Sequence, residues 1–192
     1  MTKIGIHFPS REIDSSRAAI RAWVRSAEEA GADYIVMSDH ILGVDPSKQK
    51  AEWDRAWMLP SGIRKSYTYR ERWHEPFATM GFISALCELE LMTTVLVLPQ
   101  RNTALVAKQA AQIDILNEGR LRLGVGVGWN AAEFDSVGAN FSDRGIRFRE
   151  QIELLRQFWS NEVVTFEGRF HSICAAGISP MPVQRPIPIW MG

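Results

Sequence analysis

The first forty residues leave this chain little choice of architecture. Lys3–Phe8 (KIGIHF) is apolar at Ile4, Ile6 and Phe8 and ends at Pro9, the pattern of a short buried strand. Ser15 or Ser16 can cap a helix to about Ala30, with Ala19, Ile20, Trp23, Val24 and Ala27 on one face. Gly31 ends that helix, because glycine readily adopts the left-handed conformation of a helix C-terminus. Tyr34–Met37 (YIVM) is then a second buried strand. Strand, helix and strand joined by so short a turn form a βαβ unit, and a βαβ unit implies a parallel sheet.

The same alternation continues downstream. Pro76–Cys87 reads as helical, Leu91–Leu98 (LMTTVLVL) as a third strand, and Thr103–Leu116 as a helix introduced by Pro99-Gln100-Arg101-Asn102. After the turn Asn117-Glu118-Gly119 comes a fourth strand, in which Leu121, Leu123, Val125 and Val127 alternate with Arg122, Gly124, Gly126 and Gly128. Arg144–Trp159 carries Ile146, Ile152, Leu155 and Trp159 at helical spacing, with Phe148 off that face. Val163–Phe166 and Arg169–Ile173 suggest a hairpin turning at Glu167-Gly168, and Ile187–Met191 is a fifth βα-type strand. Five such strands suit either an open doubly wound sheet or part of a (β/α)8 barrel.

One stretch breaks the rhythm. Residues 41–75 are charged, aromatic and interrupted by Pro46, Pro60 and Gly62. An insertion of this length is usually a functional lid or disordered, and Trp53, Trp57, Tyr67, Tyr69 and Trp73 argue against simple disorder. It is read as a partly ordered lid over the strand ends, within a single domain spanning 1–192.

Composition narrows the function. The 22 basic and 22 acidic residues cancel, which argues against nucleic-acid partners, since these need a basic field. Cys87 and Cys174 are far apart and fit neither a disulfide framework nor a zinc site. The start, MTKIGIHF, has no signal-peptide core, and no apolar run reaches membrane-spanning length. The expectation is a cytoplasmic protein with no membrane partner.

The chemistry concentrates at strand ends. Ser38-Asp39-His40 follows the second strand, and the glycine-lined fourth strand ends in Trp129-Asn130. Glycines admit a close backbone or a flat ligand. Asn130 can also cap the helix through Glu133. Gly126-Val127-Gly128-Trp129-Asn130-Ala131 formally fits G-x-G-x-x-A, so an NAD(P)-dependent dehydrogenase is an alternative. That motif belongs after the first strand of its βαβ unit, not the fourth, and Trp129 stands where a pyrophosphate should approach.

Taken in order, five motifs resemble the luciferase-like flavin- and deazaflavin-dependent oxidoreductases, in particular the coenzyme F420-dependent branch. They are Ser38-Asp39-His40; Leu98-Pro99-Gln100-Arg101 with Ala104–Gln109; GRLRLGVGVGWNAAEF; Val164–Phe170; and Pro182–Trp190. The resemblance implies a TIM (β/α)8 barrel of the luciferase-like type, usually a homodimer. It implies F420, or alternatively FMN, bound without metal at the C-terminal barrel face, and hydride transfer with a small-molecule substrate. It assigns His40 and Asp39 as the catalytic polar pair; on the chemistry of adjacent residues, Asp39 is the group that could fix the His40 tautomer. It assigns Thr94 and Val95 to a non-proline cis peptide beneath the cofactor ring, and Gly126, Gly128, Trp129 and Asn130 to the cofactor wall. Some sugar-phosphate-oxidising members carry an acid where Trp129 stands; the nearest acid here is Glu133, about one helical turn on. A full barrel takes about 250 residues, and these 192 hold about five βα units. The alternative to an active enzyme is therefore an inactive truncated fragment of one, residues 1–192 forming the N-terminal portion of the barrel.

Overall fold

A computed structural model describes residues 2–45, 47–48 and 67–192. Most of the expected lid, including Trp53 and Trp57, lies outside the described residues. The chain begins with β1 (Gly5–His7), α1 (Arg17–Glu29) and β2 (Tyr34–Met37). Ser16 caps α1 by accepting from the Ala19 N–H at 3.2 Å, and Gly31 follows the helix at φ +77. Next come α2 (Pro76–Ile83), β3 (Glu90–Thr93), β4 (Leu96–Val97), a 3-10 turn over Leu98–Gln100, and α3 (Thr103–Leu116). β5 (Leu121–Gly126), α4 (Ala131–Ser136) and α5 (Arg144–Ser160) complete the central region. The antiparallel pair β6 (Val164–Glu167) and β7 (Ser172–Ala176) precedes β8 (Ile189–Met191).

The main sheet is parallel throughout, in the order β1, β2, β3 and β5, with β4 and β8 also pairing with β5. Val125 pairs with Leu96 on one flank and Met191 on the other, so β8 occupies a fifth strand position. β3 and β4 are one strand interrupted. Leu91 pairs with Leu121, an offset of 121 − 91 = 30, whereas Leu96 pairs with Val125, an offset of 125 − 96 = 29. One extra residue is therefore looped out between them, at the cis peptide Thr94-Val95. The sequence reading expected an unbroken strand over Leu91–Leu98; the bulge divides it.

Helices cover one face of this sheet. Ile35, Met37, Leu91, Leu121, Leu123 and Val125 share a single core with α1, α2, α3 and α5. On the opposite face, Tyr34, Val36, Glu90, Met92 and Arg122 are half-buried. A doubly wound sheet would carry helices on both faces, so this is the curved wall of an incomplete (β/α) barrel.

Two details depart from the periodicity. On α5, Ile146 is 50% exposed while Phe148 is buried. Phe148, Ile152, Leu155 and Trp159 form the packed stripe, and Trp159 Nε1–H donates to the Ala107 carbonyl of α3 at 3.1 Å. Ile146 precedes Phe148 by two residues and so faces away. The hairpin's second strand also begins three residues later than expected. The Glu150 carboxylate accepts from the Arg169 and Phe170 N–H groups, at 2.8 and 2.9 Å, drawing these residues to α5 and out of the ladder. His171 lies 2.8 Å from Glu150 and 2.6 Å from Thr103, tying the hairpin to α5 and α3.

Candidate active site

The C-terminal ends of β2, β4 and β5 converge on a cavity of about 390 Å³. Asp39, His40, Thr94, Val95, Gly126, Gly128 and Trp129 all line it, together with Ser38, Val97 and Val127. Seven of the eight residues singled out from sequence thus share one space. The eighth, Asn130, is buried behind it: its side-chain carbonyl caps α4 by accepting from the Ala132 N–H, and its amide donates to the Tyr67 hydroxyl at 2.7 Å. A second cavity, of about 380 Å³, lies beyond Asp39 and His40 and is lined also by Trp73, Glu75, Gln100, Arg101 and Leu105.

The glycines admit the close approach of a neighbouring strand, one of the two uses expected of them. A Cβ on Gly126 would lie 2.4 Å from Val95 Cγ2, and one on Gly128, at φ +75, would lie 2.4 Å from Val97 Cγ1. Both positions let the bulged β3–β4 strand press against β5, with the cavity forming alongside.

Asp39 and His40 do not pair. Consecutive side chains on extended backbone diverge. The Asp39 carboxylate, 2% exposed, accepts from the Val97 N–H at 3.0 Å and from Arg101 at 2.7 and 3.1 Å. Arg101 reaches on to Glu75 at 3.1 Å, and Glu75 also caps α2. Burial disfavours the charge on Arg101, but Asp39 and Glu75 outweigh it and raise its pKa. Asp39 is an anchor that ties β4 and the following turn to the end of β2.

The carboxylate that meets His40 is Glu133, on the first turn of α4: Nδ1 lies 3.0 Å from Oε1. Glu133 is 1% exposed and accepts also from the Tyr67 hydroxyl at 2.5 Å and from Gln100 Nε2 at 3.0 Å. Burial pushes against its ionisation, but the donors His40, Tyr67 and Gln100 prevail and hold its pKa below the usual carboxylate value. Burial and the adjacent Glu133 push the Tyr67 phenol up, so it stays a donor. The His40 ring is packed by Tyr67, Trp73 and Trp129, at centroid distances of 4.2, 4.5 and 6.0 Å. His7 reaches the same rim through Ser38, at 3.0 Å, whereas His74 sits edge-on to Phe8. Sequence reasoning passed over Glu133, Tyr67, Gln100 and Arg101 as site residues. The available signals were an acid on the first turn after Trp129-Asn130 and a tyrosine in an aromatic-rich insertion.

Among the described residues no cluster of His, Cys, Asp or Glu is placed to hold a metal ion, and no helix is long and apolar enough to cross a membrane.

Comparison with known proteins agrees with this fold. The family model described as luciferase-like monooxygenase matches residues 2–192. The F420-dependent glucose-6-phosphate dehydrogenase of Amycolatopsis mediterranei is 30% identical over 195 residues, covering 100% of this chain and 51% of that protein. Among solved structures, an F420-dependent secondary alcohol dehydrogenase in complex with an F420-acetone adduct superposes with a TM-score of 0.73 at 23% identity, over 99% of this chain and 52% of that one. The oxygenating constituent of 3,6-diketocamphane monooxygenase from Pseudomonas putida, in complex with FMN, gives 0.68 at 18% identity, over 98% and 50%. The chain spans about half the length of these proteins.

Proposed function

The chain belongs to the luciferase-like monooxygenase family, and from that premise we propose that it is an oxidoreductase or monooxygenase using coenzyme F420, with FMN as the alternative, in hydride transfer with a small organic substrate. The observation that carries this reading is His40 on the wall of the 390 Å³ cavity at the strand ends, beside Trp129 and above the Thr94-Val95 bulge. A volume of this order suits a bound small molecule, for which pockets run to roughly 300–1,000 Å³. The residues present fit the ring end of such a cofactor. Val95, Val97 and Val127 offer apolar surface, Ser38 and His40 offer polar atoms, and no Lys or Arg is among the lining residues. An uncharged planar ring suits that lining better than a pyrophosphate does.

A deazaflavin or flavin ring would supply the hydride acceptor or donor. The chain's own residues handle the proton and the solvent. His40 Nδ1 is engaged by Glu133, which leaves Nε2 to accept a hydroxyl proton from a substrate being oxidised, or to return one to a substrate being reduced. Tyr67, Trp73 and Trp129 pack around the His40 imidazole and limit the access of bulk water to it. Ser38 donates to the Thr94 carbonyl at 3.2 Å, and Asp39 holds Val97, so the bulge that floors the cavity is tied to β2 on both sides of the cis bond.

Equilibrium titration of the protein with F420, FMN and NADPH, followed by cofactor fluorescence, tests the reading. Saturable binding of F420 or FMN is expected. Binding of NADPH alone, or of none of the three, would contradict it.

A further inference from the structure

We propose that Glu133 and Tyr67 act as a positioning pair for His40, locking its imidazole in the Nδ1–H tautomer so that Nε2 alone faces the reacting molecule. This rests on the reading of His40 as the proton-handling group.

A neutral imidazole carries one proton, and which nitrogen bears it follows from the partner of each. His40 Nδ1 lies 3.0 Å from Glu133 Oε1, and two acceptors cannot share a hydrogen bond. The oxygen is an acceptor because Glu133 is kept ionised: two other donors, the Tyr67 hydroxyl and Gln100 Nε2, converge on a carboxylate that is 1% exposed. Nδ1 must therefore carry the proton whether the ring is neutral or charged. In the neutral ring Nε2 then has a free lone pair, and in the charged ring it has a proton to give.

Tyr67 makes the arrangement rigid. Its hydroxyl has one proton, given to Glu133, and accepts from Asn130 Nδ2, so the phenol cannot turn round. Its ring lies 4.2 Å from the His40 ring, tilted by 45°, and restricts rotation of the imidazole. Gln100 holds the other carboxylate oxygen. Asp39, the chain neighbour of His40, is committed to Arg101, and Arg101 in turn to Glu75. The helix start at Asn130 and the insertion before α2 thus contribute to one function: Asn130 caps α4, α4 presents Glu133, and Tyr67 closes over both.

Nitrogen-15 NMR of the histidines, at a pH where the His40 ring is neutral, reads the tautomer in the unaltered protein. The Nδ1–H form should dominate; an Nε2–H ring would overturn the proposal. In Glu133→Gln the single tautomer should give way to a mixture, and kcat should fall on the order of 10²-fold with KM changed by less than about threefold. Tyr67→Phe, which keeps the carboxylate and the ring, should lower kcat by about tenfold and leave the tautomer in place. A Glu133→Gln protein that keeps both its tautomer and its kcat would refute the pairing. Undiminished turnover in His40→Ala would instead overturn the reading on which the proposal rests, while the tautomer would still report the Glu133 contact.

Discussion

Replacing Asp39 by Asn isolates the anchoring role that the structure gives this residue. The carboxylate is 2% exposed and takes three hydrogen bonds, two from Arg101 and one from the Val97 N–H. An amide of the same shape can still accept from Val97, but its NH₂ group would face the guanidinium, donor against donor. The Arg101 side chain is only 15% exposed and would keep just one ionic partner, Glu75, itself 48% exposed. Breaking a buried pair by removing one member costs about 3–5 kcal/mol. The remaining Glu75 contact places this case near the lower end, about 3 kcal/mol. For a chain of this size each kcal/mol moves Tm by about 2–4 °C, so a fall of about 6–12 °C is expected. Thermal and urea unfolding of wild type, Asp39→Asn, Arg101→Met and the double variant form a cycle whose coupling should exceed about 2 kcal/mol. A single-variant loss below about 0.5 kcal/mol, or an additive cycle, would refute the anchor.

Three further outcomes follow from the same geometry. Gly128→Ala must fit a Cβ 2.4 Å from Val97 Cγ1 at φ +75. It should cost about 1–3 kcal/mol in urea unfolding and weaken F420 or FMN binding in titration. Trp159→Phe removes the bond to the Ala107 carbonyl at the α3–α5 contact and should lower stability by about 1–3 kcal/mol, again read in urea. Glu133 and Glu150 both have pKa values held below the ordinary 4.5: burial opposes this in each, but their hydrogen-bond donors prevail. Their contribution to stability is therefore complete above about pH 4.5 and is lost as pH falls through the lowered folded-state values. Tm should be nearly level from neutral pH to about 5 and fall below it, less steeply in Glu133→Gln.

Much of the scaffold was legible because it is local. A continuous apolar run located β2 and apolar alternation located β5, helical spacing gave α1 and α3, and Ser16, Asn102 and Asn130 cap the helices as their positions suggested. The break between β3 and β4 was not legible from periodicity, since an extra residue in LMTTVLVL leaves the run apolar throughout; only the resemblance pointed to Thr94-Val95. The hairpin slipped because Glu150, on α5, captures the N–H groups of Arg169 and Phe170. The wiring of the site was hidden for the same reason on a larger scale. Arg101 lies 62 residues from Asp39, Glu133 lies 93 from His40, and Tyr67 lies 66 from Glu133. Adjacency in sequence suggested Asp39 as the partner of His40; extended backbone turns the two apart and leaves each to find a distant one.

Whether His40 handles the proton is tested most directly by turnover in a His40→Ala protein with its cofactor bound, measured as oxidation or reduction of F420 against a panel of small alcohols and carbonyl compounds, beside a titration of F420 affinity. At F420 concentrations that saturate the variant, kcat should fall by about 10²–10⁴-fold. Turnover equal to that of the unaltered protein would contradict that role.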